Sequence, residues 1–409
     1  MKSTIVLFQS RLRKFVLDIG NNLEHFDFVT KTNKAFASTK TYYKTRPSSF
    51  EQEIARVKIT LFQRLRRVIP LPNVRFRFER QGDLLFTYGC LLITNRPYCV
   101  WIENGAALHA YDPIILHNPI AKFLLISFIL DPHLKHLVFM SKAAEKSFFS
   151  TLGFTSGWLR SQFEKKCIQL YPKFPEPSER KIKTFAGELH CLFTGVYYMK
   201  GGRETLQAFQ ELRSLHPNIF LTVLTPLHLL HPDDRKLLEK TEGVTLLDAI
   251  LQRKEMEDLY KKHNIFLFPS YKDTFGLVLI EALSFGMPII ATNQYAATEM
   301  VHHGYNGMVL ADHPFTDYNR DTFFMWGKYY DAQFFYRSLF SAQENGKTDV
   351  LKAFLKDSIL RYLKYPELIE EHSRHAYVLY DKEFRESLTN KKWDAMFLRS
   401  LEPTLSKKI

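Results

Sequence analysis

No stretch of about 18 consecutive apolar residues occurs in this 409-residue sequence. The longest apolar candidate, Phe123–Leu130, is too short to cross a bilayer and predicts a buried helix. The first twenty residues lack a long apolar segment followed by small residues, which predicts no secretory signal. Cysteine is scarce, and the spacing of the four residues Cys90, Cys99, Cys167 and Cys191 matches no metal motif. We therefore expect reduced, buried thiols in a cytoplasmic protein.

Repeats and low-complexity tracts are also missing. An apolar fraction of 45% and a charged fraction of 24% are typical of a soluble globular protein. The length predicts two or three domains. His117, His133 and His136 show no helical spacing with acidic residues, so the sequence predicts no zinc site and no other metal.

Positive charge is concentrated in one part of the chain. Residues 1–175 hold 26 Lys and Arg against 12 Asp and Glu, while the formal net charge of the whole chain is +13. The remainder is therefore close to neutral. Basic clusters occur at 11–14 and 64–67, the second within the amphipathic run Ile59–Ile69. This pattern indicates either an anionic partner such as a membrane surface, an acidic glycan or nucleic acid, or a solvated basic face on a core-packed helix.

Apolar runs alternate with amphipathic segments along most of the chain, which predicts parallel sheets covered on both faces. In the first half the predicted strands are Thr4–Phe8, Asp27–Thr30, Leu84–Thr87, Tyr98–Ile102 and Leu137–Met140, with helices at 10–22, 50–68, 120–130 and 142–152. In the second half they are Leu189–Thr194, Ile219–Leu224, Val244–Leu247, Ile265–Phe268 and Ile289–Thr292, with helices at 202–215, 233–241, 254–262 and 276–285.

Three regions follow from this pattern. Residues 1–175 are predicted as a basic N-terminal domain with an anionic partner, and residues 176–375 as a C-terminal domain that binds its ligand at the carboxyl ends of the strands. The proline-rich segment 172–187 is interpreted as the linker between them. After about 315 the pattern becomes helical and aromatic, and 376–409 is predicted as a helical tail that packs back on the N-terminal domain. The fold class is α/β, with two doubly wound domains that face a cleft.

The segment 264–310 is the most informative part of the chain. A predicted strand runs into a polar turn with Asp273, then Phe275-Gly276 and a helix that contains Glu281. A helix N-terminus beside a glycine can hold a phosphate group, and a carboxylate further along the helix can bind ribose hydroxyls. Five residues separate Gly276 from Glu281, about 7–8 Å along the helix axis, which fits the distance from a diphosphate to its ribose.

A second turn follows the first strand of the same predicted domain. Lys200-Gly201-Gly202 precedes a helix that begins near Arg203. Glycine lets backbone amides approach an anion, and the lysine supplies a point charge. A plain capping turn has the same appearance when taken alone. Since both turns stand at carboxyl ends of strands in one predicted sheet, two helix N-termini are expected to converge on one pyrophosphate.

The second half resembles the retaining glycosyltransferases of family four, which have the GT-B fold. The residues that carry the resemblance are FTGVYYMKGGRETLQAF (193–209), EMEDLYKKHNIFLFPS (255–270), DTFGLVLIEALSFGMPIIAT (273–292), TEMV (298–301) and GYNG (304–307). They follow the order and spacing of that family. Its two glutamates, separated by seven residues, are matched by Asp273 and Glu281.

The resemblance implies a role for each of these residues. Asp273 would lie near the donor sugar as a catalytic residue, and Glu281 would bind the ribose and belong to the catalytic set. Donor nucleotide binding is implied for Lys200, Gly201, Arg203, Phe275, Gly276, Leu277 and Glu281. No cofactor is expected beyond the nucleotide-diphosphate sugar itself, and no metal.

The chain departs from the family at three positions of the donor half. Asp273 is one methylene shorter than the usual glutamate, so its contacts with the sugar differ. Val196 stands where the family often has an arginine that binds phosphate, which leaves Lys200 or Arg203 to carry that charge. Tyr295 and Ala296 replace a common glycine pair and narrow the loop that faces the sugar.

The N-terminal half matches the family only in architecture, because its first strand leads to Gln9-Ser10-Arg11 without a glycine-rich turn. The family often places a histidine near the donor sugar after the strand that corresponds to Tyr98–Ile102. His109 is therefore the candidate for a third catalytic residue, with Glu103 as the second choice. Both also have the simpler interpretation of ordinary loop residues.

The expected activity is hexosyl transfer, without a metal and with retention of configuration, from a nucleotide-diphosphate sugar to a glycan or lipid-linked acceptor of polysaccharide or cell-envelope biosynthesis. The expected location is the cytoplasm, at the inner face of an anionic membrane in the peripheral alternative. A nucleotide-sugar epimerase of GT-B architecture and a catalytically silent binding protein of the same fold are the alternatives. Nucleic acid is disfavoured as a partner because no base-recognition motif is present.

Overall fold

The structure is a computed structural model that describes residues 2–8, 14–31, 68–78, 82–112, 115, 117–153 and 157–402. The predicted helix 50–68 lies almost wholly outside these residues. The same is true of the basic cluster 64–67 and of all but Lys14 in the cluster 11–14. The elements below are numbered in chain order among the described residues.

The N-terminal half is built on a six-stranded parallel sheet in the order β2-β1-β4-β6-β7-β8. Its strands are β1 (Ser3–Phe8), β2 (Phe26–Lys31), β4 (Leu84–Tyr88), β6 (Tyr98–Ile102), β7 (Leu134–Phe139) and β8 (Cys167–Gln169). A separate parallel pair is formed by β3 (Val74–Phe76) and β5 (Leu91–Ile93). Every residue of β6 is buried, as expected for a parallel strand covered on both faces.

The C-terminal half carries a second six-stranded parallel sheet, in the order β11-β10-β9-β12-β13-β14. Its strands are β9 (Leu189–Thr194), β10 (Ile219–Thr225), β11 (Val244–Asp248), β12 (Ile265–Phe268), β13 (Ile289–Thr292) and β14 (Gly307–Leu310). The prediction of two doubly wound α/β domains is confirmed.

Twelve α-helices occur among the described residues. They are α1 (Lys14–Leu17), α2 (Pro119–Leu130), α3 (Lys142–Leu152), α4 (Trp158–Glu164), α5 (Gly202–Arg213), α6 (Pro232–Lys240), α7 (Arg253–Lys262), α8 (Leu277–Ser284), α9 (Ala332–Glu344), α10 (Asp349–Lys364), α11 (Glu367–Leu379) and α12 (Glu386–Leu401). None of them combines the length and the apolar character that a membrane crossing requires.

Four short strands, β3, β5, β8 and β14, and one boundary differ from the sequence-based expectation. Both sheets gain a sixth strand, because β8 spans three half-buried residues and β14 follows the GYNG turn, so neither shows a clear apolar pattern. Helical structure does not begin near 315, since the first α-helix after β14 is α9. The aromatic residues that follow position 315 instead belong to an irregular segment, residues 311–331, which contains one short 3-10 helix at Gly327–Tyr330.

The last helix returns to the N-terminal sheet. On α12, the ring of Trp393 packs edge-on against Trp101 at a centroid distance of 5.2 Å, and that of Phe397 packs against Phe86 at 5.5 Å. The four cysteines form no disulfide, and three of them are buried while Cys167 is half-buried. Apolar contacts on α12 thus tie the end of the described chain to its beginning.

Candidate functional site

The order of the C-terminal sheet creates a crevice at one edge. The chain runs outward from β9 through β10 to β11, then returns to form β12 on the other side of β9. In an open parallel sheet, ligands bind where neighbouring strands lead away in opposite directions, at the carboxyl ends. The loops that follow β9 and β12 are therefore the two walls of the candidate site. They contain the two turns predicted from the sequence.

The first turn requires glycine for steric reasons. Gly201 has a φ of +73°, and a Cβ atom there would lie 2.3 Å from the carbonyl oxygen of Pro269. At Gly202, where α5 begins, a Cβ would lie 2.1 Å from the ring of Tyr197. The turn after β9 is thus pressed against the end of β12, which brings the N-terminus of α5 beside the second turn.

The side chain of Lys200 crosses from the first turn to the second. Its ammonium group forms an ion pair with Asp273 and donates to the carbonyl oxygen of Lys272 at 2.8 Å and to Ser270 Oγ at 3.2 Å. Gly195 makes room for this path, since a Cβ there would lie 2.8 Å from Lys200 Cγ. Lys200 and Asp273 keep 15% and 21% of their side-chain surface exposed, so a ligand can reach both.

The second turn ends at an uncapped helix N-terminus. Asp273 Oδ1 accepts a hydrogen bond from the backbone N–H of Phe275 at 3.0 Å, which fixes the turn. Gly276 adopts a left-handed φ of +84°, and α8 begins at Leu277 without a side-chain cap. The first amides of a helix carry partial positive charge, and an anion can satisfy them where no cap does.

Glu281 lies in a cavity next to these turns. Its carboxylate accepts a hydrogen bond from Tyr260 Oη at 2.6 Å. Burial next to that carboxylate raises the pKa of Tyr260 well above 10, so the phenol stays protonated and remains a donor. The cavity has a volume of about 390 Å³, and both halves line it, with Lys173 and Phe174 on one side and Gln252 and Leu277 on the other. Glu281 therefore lines a cavity that both halves share.

Arg203 is directed away from this convergence. Its guanidinium pairs with Asp234 at 3.0 Å and lies over the rings of Tyr198 and Phe340 at 5.0 and 4.9 Å. These partners orient the guanidinium, and the described contacts of Arg203 do not include the turn with Asp273. Of the two cations predicted to hold the diphosphate, the structure brings only Lys200 to the acidic turn.

Segment 311–331 braces the second turn through residues that the sequence patterns did not single out. Buried Asp317 accepts a hydrogen bond from Gln294 Nε2 at 3.2 Å, and the same nitrogen lies 3.3 Å from the backbone oxygen of Asp273. Burial raises the pKa of Asp317, which the charge of Lys272 partly counteracts. The position of Lys272 beside Asp273 was a usable signal, whereas Asp317 is more than 40 residues away in sequence.

A second brace connects the same segment to the strand end. His313 Nε2 donates to the backbone oxygen of Ser270 at 2.7 Å, and its Nδ1 accepts from the N–H of Phe315 at 3.1 Å. This arrangement needs the neutral imidazole, and burial lowers the pKa of His313 to about 4. These hydrogen bonds thereby fix the backbone at Ser270, which leads into the turn with Asp273.

The N-terminal half meets the second turn at Glu103. This residue ends β6, is buried, and accepts hydrogen bonds from Tyr88 Oη at 2.6 Å and from Tyr111 Oη. Thr274 Oγ1, next to Asp273 in sequence, lies 3.3 Å from the same carboxylate. Glu103, the second choice from the sequence for a catalytic residue, therefore contacts the second turn directly across the cleft.

His109 lies at the end of the 3-10 helix Gly105–His109 that follows β6, with none of its surface exposed. The described contacts do not join its ring to Asp273 or Lys200, so its catalytic role stays a prediction. Tyr295 occupies the loop after β13 with a left-handed φ of +49°. Its buried ring packs edge-on against Tyr318 at 5.3 Å, which fills the space that a glycine pair would leave open.

One group of side chains among the described residues has metal-ligand spacing, namely Glu24, His25 and Asp394. It lies between the β1–β2 connection and α12, not in the crevice. Glu24 and His25 are exposed, so burial does not single the group out as a metal site. The pKa of His25 is raised, chiefly by its hydrogen bond to Asp394.

The part of the chain that forms the crevice is similar to known proteins. Residues 178–320 match the family model described as glycosyl transferases group 1. The chain is 28% identical over 228 residues to the capsular polysaccharide biosynthesis glycosyltransferase CapM of Staphylococcus aureus. This match covers 53% of this chain and 58% of CapM. It is 29% identical over 153 residues to a D-inositol 3-phosphate glycosyltransferase of Arthrobacter sp. (strain FB24), 36% of each chain. The matches thus span only part of the length of these relatives.

Solved structures show that the described part of the chain has the GT-B fold. Anabaena Alr3699/HepE in complex with UDP superposes with a TM-score of 0.55 at 11% identity, over 97% of this chain and all of that one. WaaG, a glycosyltransferase involved in lipopolysaccharide biosynthesis, gives 0.55 at 12% identity, over 96% and 99% of the two chains. At this identity the likeness establishes the architecture.

Proposed function

We propose that the protein is a retaining glycosyltransferase that moves a hexose from a nucleotide-diphosphate sugar to a glycan or lipid-linked acceptor. One observation carries the proposal. The ammonium of Lys200, the carboxylate of Asp273 and the uncapped N-terminus of α8 meet in one crevice, beside the cavity that contains Glu281. The family match over residues 178–320 and the UDP complex of a protein with the same fold support it.

Charge is the main contribution of this site to the reaction. As the bond from the sugar C1 to the diphosphate breaks, negative charge develops on the leaving oxygen. Lys200 and the first amides of α8 stabilise that charge, which is worth several kcal/mol in a preorganised site. We propose that these groups suffice without a metal ion, so that activity survives EDTA.

Asp273 lies between the phosphate site and the N-terminal half, where the donor sugar would sit. We assign it to the sugar hydroxyls. In the retaining mechanism the acceptor oxygen attacks C1 on the face that the phosphate leaves. The new bond joins C1 to the acceptor, and the acceptor proton passes to a phosphate oxygen. No enzyme nucleophile takes part. Glu103 instead holds the second turn, through Thr274, against the end of β6.

The nucleotide would bind with its ribose at Glu281. The cavity of about 390 Å³ is large enough for a pentose and part of a base, and the rings of Phe15, Phe174 and Phe285 provide apolar walls. Carboxylate oxygens accept hydrogen bonds from both ribose hydroxyls, and these charge-assisted bonds are stronger than neutral ones.

A thermal-shift comparison of nucleotides tests this assignment. At equal concentrations of UDP, GDP and ADP, the nucleotide that binds most tightly should raise the melting temperature most, so the largest shift identifies the base. The preferred nucleoside diphosphate should bind about 10-fold more tightly than its 2′-deoxy form, since one charge-assisted hydrogen bond is lost. Glu281→Gln should remove most of that difference. Glu257→Gln, which changes a carboxylate in the same cavity that already pairs with Arg253, should retain it.

The reaction itself requires a second assay. Proton NMR of the sugar released by slow hydrolysis of the donor should show the donor's own anomeric configuration first. Inverted product would contradict retention. Turnover of the donor to an epimer without any acceptor would replace the transferase proposal with the epimerase alternative.

We also propose that the acceptor is presented at an anionic membrane at the cytoplasmic face. Residues 1–175 hold the positive charge of the chain, and α2 exposes Ile120, Phe123 and Leu130 to 59%, 67% and 43%. Cations beside exposed apolar side chains are typical of interfacial binding. Phosphatidylglycerol vesicles should bind the protein at low salt and release it at high salt. Phe123→Glu should weaken that binding, whereas equal binding to neutral vesicles would contradict the proposal.

A further inference from the structure

A cavity of about 450 Å³ lies where segment 311–331 faces the N-terminal half. It is lined by His117 on one side and by Phe324, Trp326, Gly327 and Lys328 on the other. None of these residues belongs to the crevice of Lys200 and Asp273, and the nucleotide described above does not extend to them.

Aromatic rings form the walls of this cavity and remain accessible. The rings of His117 and Phe324 lie 5.4 Å apart between centroids, and Trp326 keeps 36% of its surface exposed. Two other tryptophans, Trp101 and Trp393, have no exposed surface at all. An open indole beside an imidazole presents a flat apolar face with polar edges, which matches the C–H face and the hydroxyl rim of a sugar ring.

A cation stands at the rim of the cavity. The ammonium of Lys328 lies 6.0 Å from the ring of Trp326, 5.2 Å from Tyr329 and 5.4 Å from Phe334. No carboxylate of the described residues lies within ion-pair distance of it. The surrounding rings therefore hold the ammonium in place while its charge stays available to an anionic ligand.

Hydrogen bonds connect this cavity to the second turn, which contains Asp273. The backbone N–H of Trp326 donates to the backbone oxygen of Asp317 at 3.1 Å, and the Asp317 carboxylate accepts a hydrogen bond from Gln294. Gln294 in turn contacts the backbone oxygen of Asp273. Hydrogen bonds through Asp317 and Gln294 thus connect the backbone of Trp326 to Asp273, beside which the donor sugar would lie. The opposite wall comes from the half that is expected to meet the acceptor.

We infer that this cavity is a subsite for an acceptor saccharide that bears a negative charge, either a carboxylate or a phosphate. One ring of the acceptor would stack on Trp326, and its anionic group would pair with Lys328. The inference rests on the proposed glycosyl transfer, because it names the acceptor class of that reaction.

Tryptophan fluorescence of the full chain provides the test. The sequence has four tryptophans, and in Trp158→Phe the exposed indole that remains is Trp326. With UDP present at saturation, this variant is titrated with methyl β-D-glucuronide, glucose 6-phosphate and methyl β-D-glucoside. We expect a saturable change in emission with a charged sugar, at a dissociation constant about fivefold or more below that of the neutral glucoside. The charged sugar that binds more tightly identifies the anionic group.

Two substitutions in that background decide the interpretation. Lys328→Gln should abolish the preference for charged sugars, whereas the exposed Lys347→Gln should retain it. Saturation-transfer NMR should show that Trp326→Ala no longer binds any of the three. A change in emission that does not saturate, equal binding of charged and neutral sugars, or an unchanged preference in Lys328→Gln would overturn the inference. The thermal shift with UDP, measured separately, tells this failure apart from a failure of the donor site.

Discussion

The N-termini of the two helices at the crevice differ from those of α2 and α3 in the N-terminal half, whereas α4 of that half also follows a glycine without a side-chain cap. In the N-terminal half, Asn118 caps α2 and Ser141 caps α3 with side-chain oxygens. In the C-terminal half, the two helices at the crevice, α5 and α8, begin at glycines and have no side-chain cap. Capping stabilises a helix by about 1 kcal/mol, so its absence at these two helices leaves amides for a ligand to satisfy.

The sheets themselves hardly differ. Both contain six parallel strands with buried apolar residues, and the glycine turns with Lys200 and Asp273 lie in the C-terminal half. A parallel sheet requires apolar strands and crossovers, which many sequences provide. A phosphate cradle requires glycine and a cation at fixed positions. This explains why the family match covers 178–320, while the likeness to solved structures covers nearly the whole chain.

The largest expected effect separates two glycines with the same backbone conformation. Gly153 ends α3 with a φ of +79° and open space around its Cβ position, whereas Gly201 has a φ of +73° and the oxygen of Pro269 at 2.3 Å. Gly153→Ala should cost about 1–2 kcal/mol for the left-handed conformation alone. Gly201→Ala should cost a further ~1–3 kcal/mol and weaken binding of the nucleoside diphosphate. Urea unfolding of both variants measures this difference, and equal costs would show that the turn is not tightly packed.

Removal of one charge should affect the reaction more than the fold. Lys200→Gln is expected to lower kcat/KM for the donor by about 100- to 1,000-fold, because the diphosphate loses its cation. The exposed Lys347→Gln serves as the matched loss of charge, and its kcat/KM should stay at the wild-type value. Initial rates of nucleoside diphosphate release provide the measurement. A loss of less than about threefold in Lys200→Gln would mean that another group carries the charge.

Acid should destabilise the C-terminal half. Burial lowers the pKa of His263 and of His313 to about 4, well below the 6.5 of an unfolded chain. The unfolded state therefore takes up protons that the folded state refuses, and stability falls as the pH drops from about 6.5 towards 4. At pH 5 each imidazole should cost about 2 kcal/mol.

The geometry of His263 shows how to measure this cost. Its Nδ1 donates to the backbone oxygen of Leu259 at 2.6 Å, and its Nε2 accepts from Thr222 Oγ1 at 2.7 Å, so both nitrogens are used by the neutral ring. Urea unfolding at pH 7.5 and pH 5 should show a loss that is smaller by about 2 kcal/mol in His263→Gln than in the wild type. The exposed His302→Gln should change the loss little.

Sequence patterns predicted the cores of ten strands because a buried parallel strand is a continuous apolar run. The turns of Lys200 and Asp273 were also predictable, since both stand at the carboxyl ends of strands in one predicted sheet. The short strands β3, β5, β8 and β14 escaped because three or four residues carry too little periodicity. The partners of Arg203 could not be foreseen. Asp234 and Phe340 come from distant parts of the chain, and packing alone brings them to the guanidinium.

The smallest expected effect concerns the N-terminus of α3, where a residue of the C-terminal half binds a helix of the N-terminal half. Glu299, in the loop before β14, accepts hydrogen bonds from the N–H groups of Lys142 and Ala143 at 3.0 and 2.9 Å, and from Tyr171 Oη at 2.9 Å. Its negative charge therefore stabilises the N-terminus of α3 from the opposite half. Glu299→Gln removes the charge and replaces one acceptor with a donor, which should cost about 1 kcal/mol of unfolding free energy.

The exposed Glu344→Gln is the matched control for that loss of charge, and its unfolding midpoint should stay within error of the wild type. If Glu299→Gln behaves like this control, the carboxylate does not hold the halves together in solution. If it costs as predicted, the N-terminus of α3, in the N-terminal half, is already occupied by a carboxylate of the C-terminal half. The N-termini of α5 and α8 have no such carboxylate among the described contacts and can accept an anion from solution.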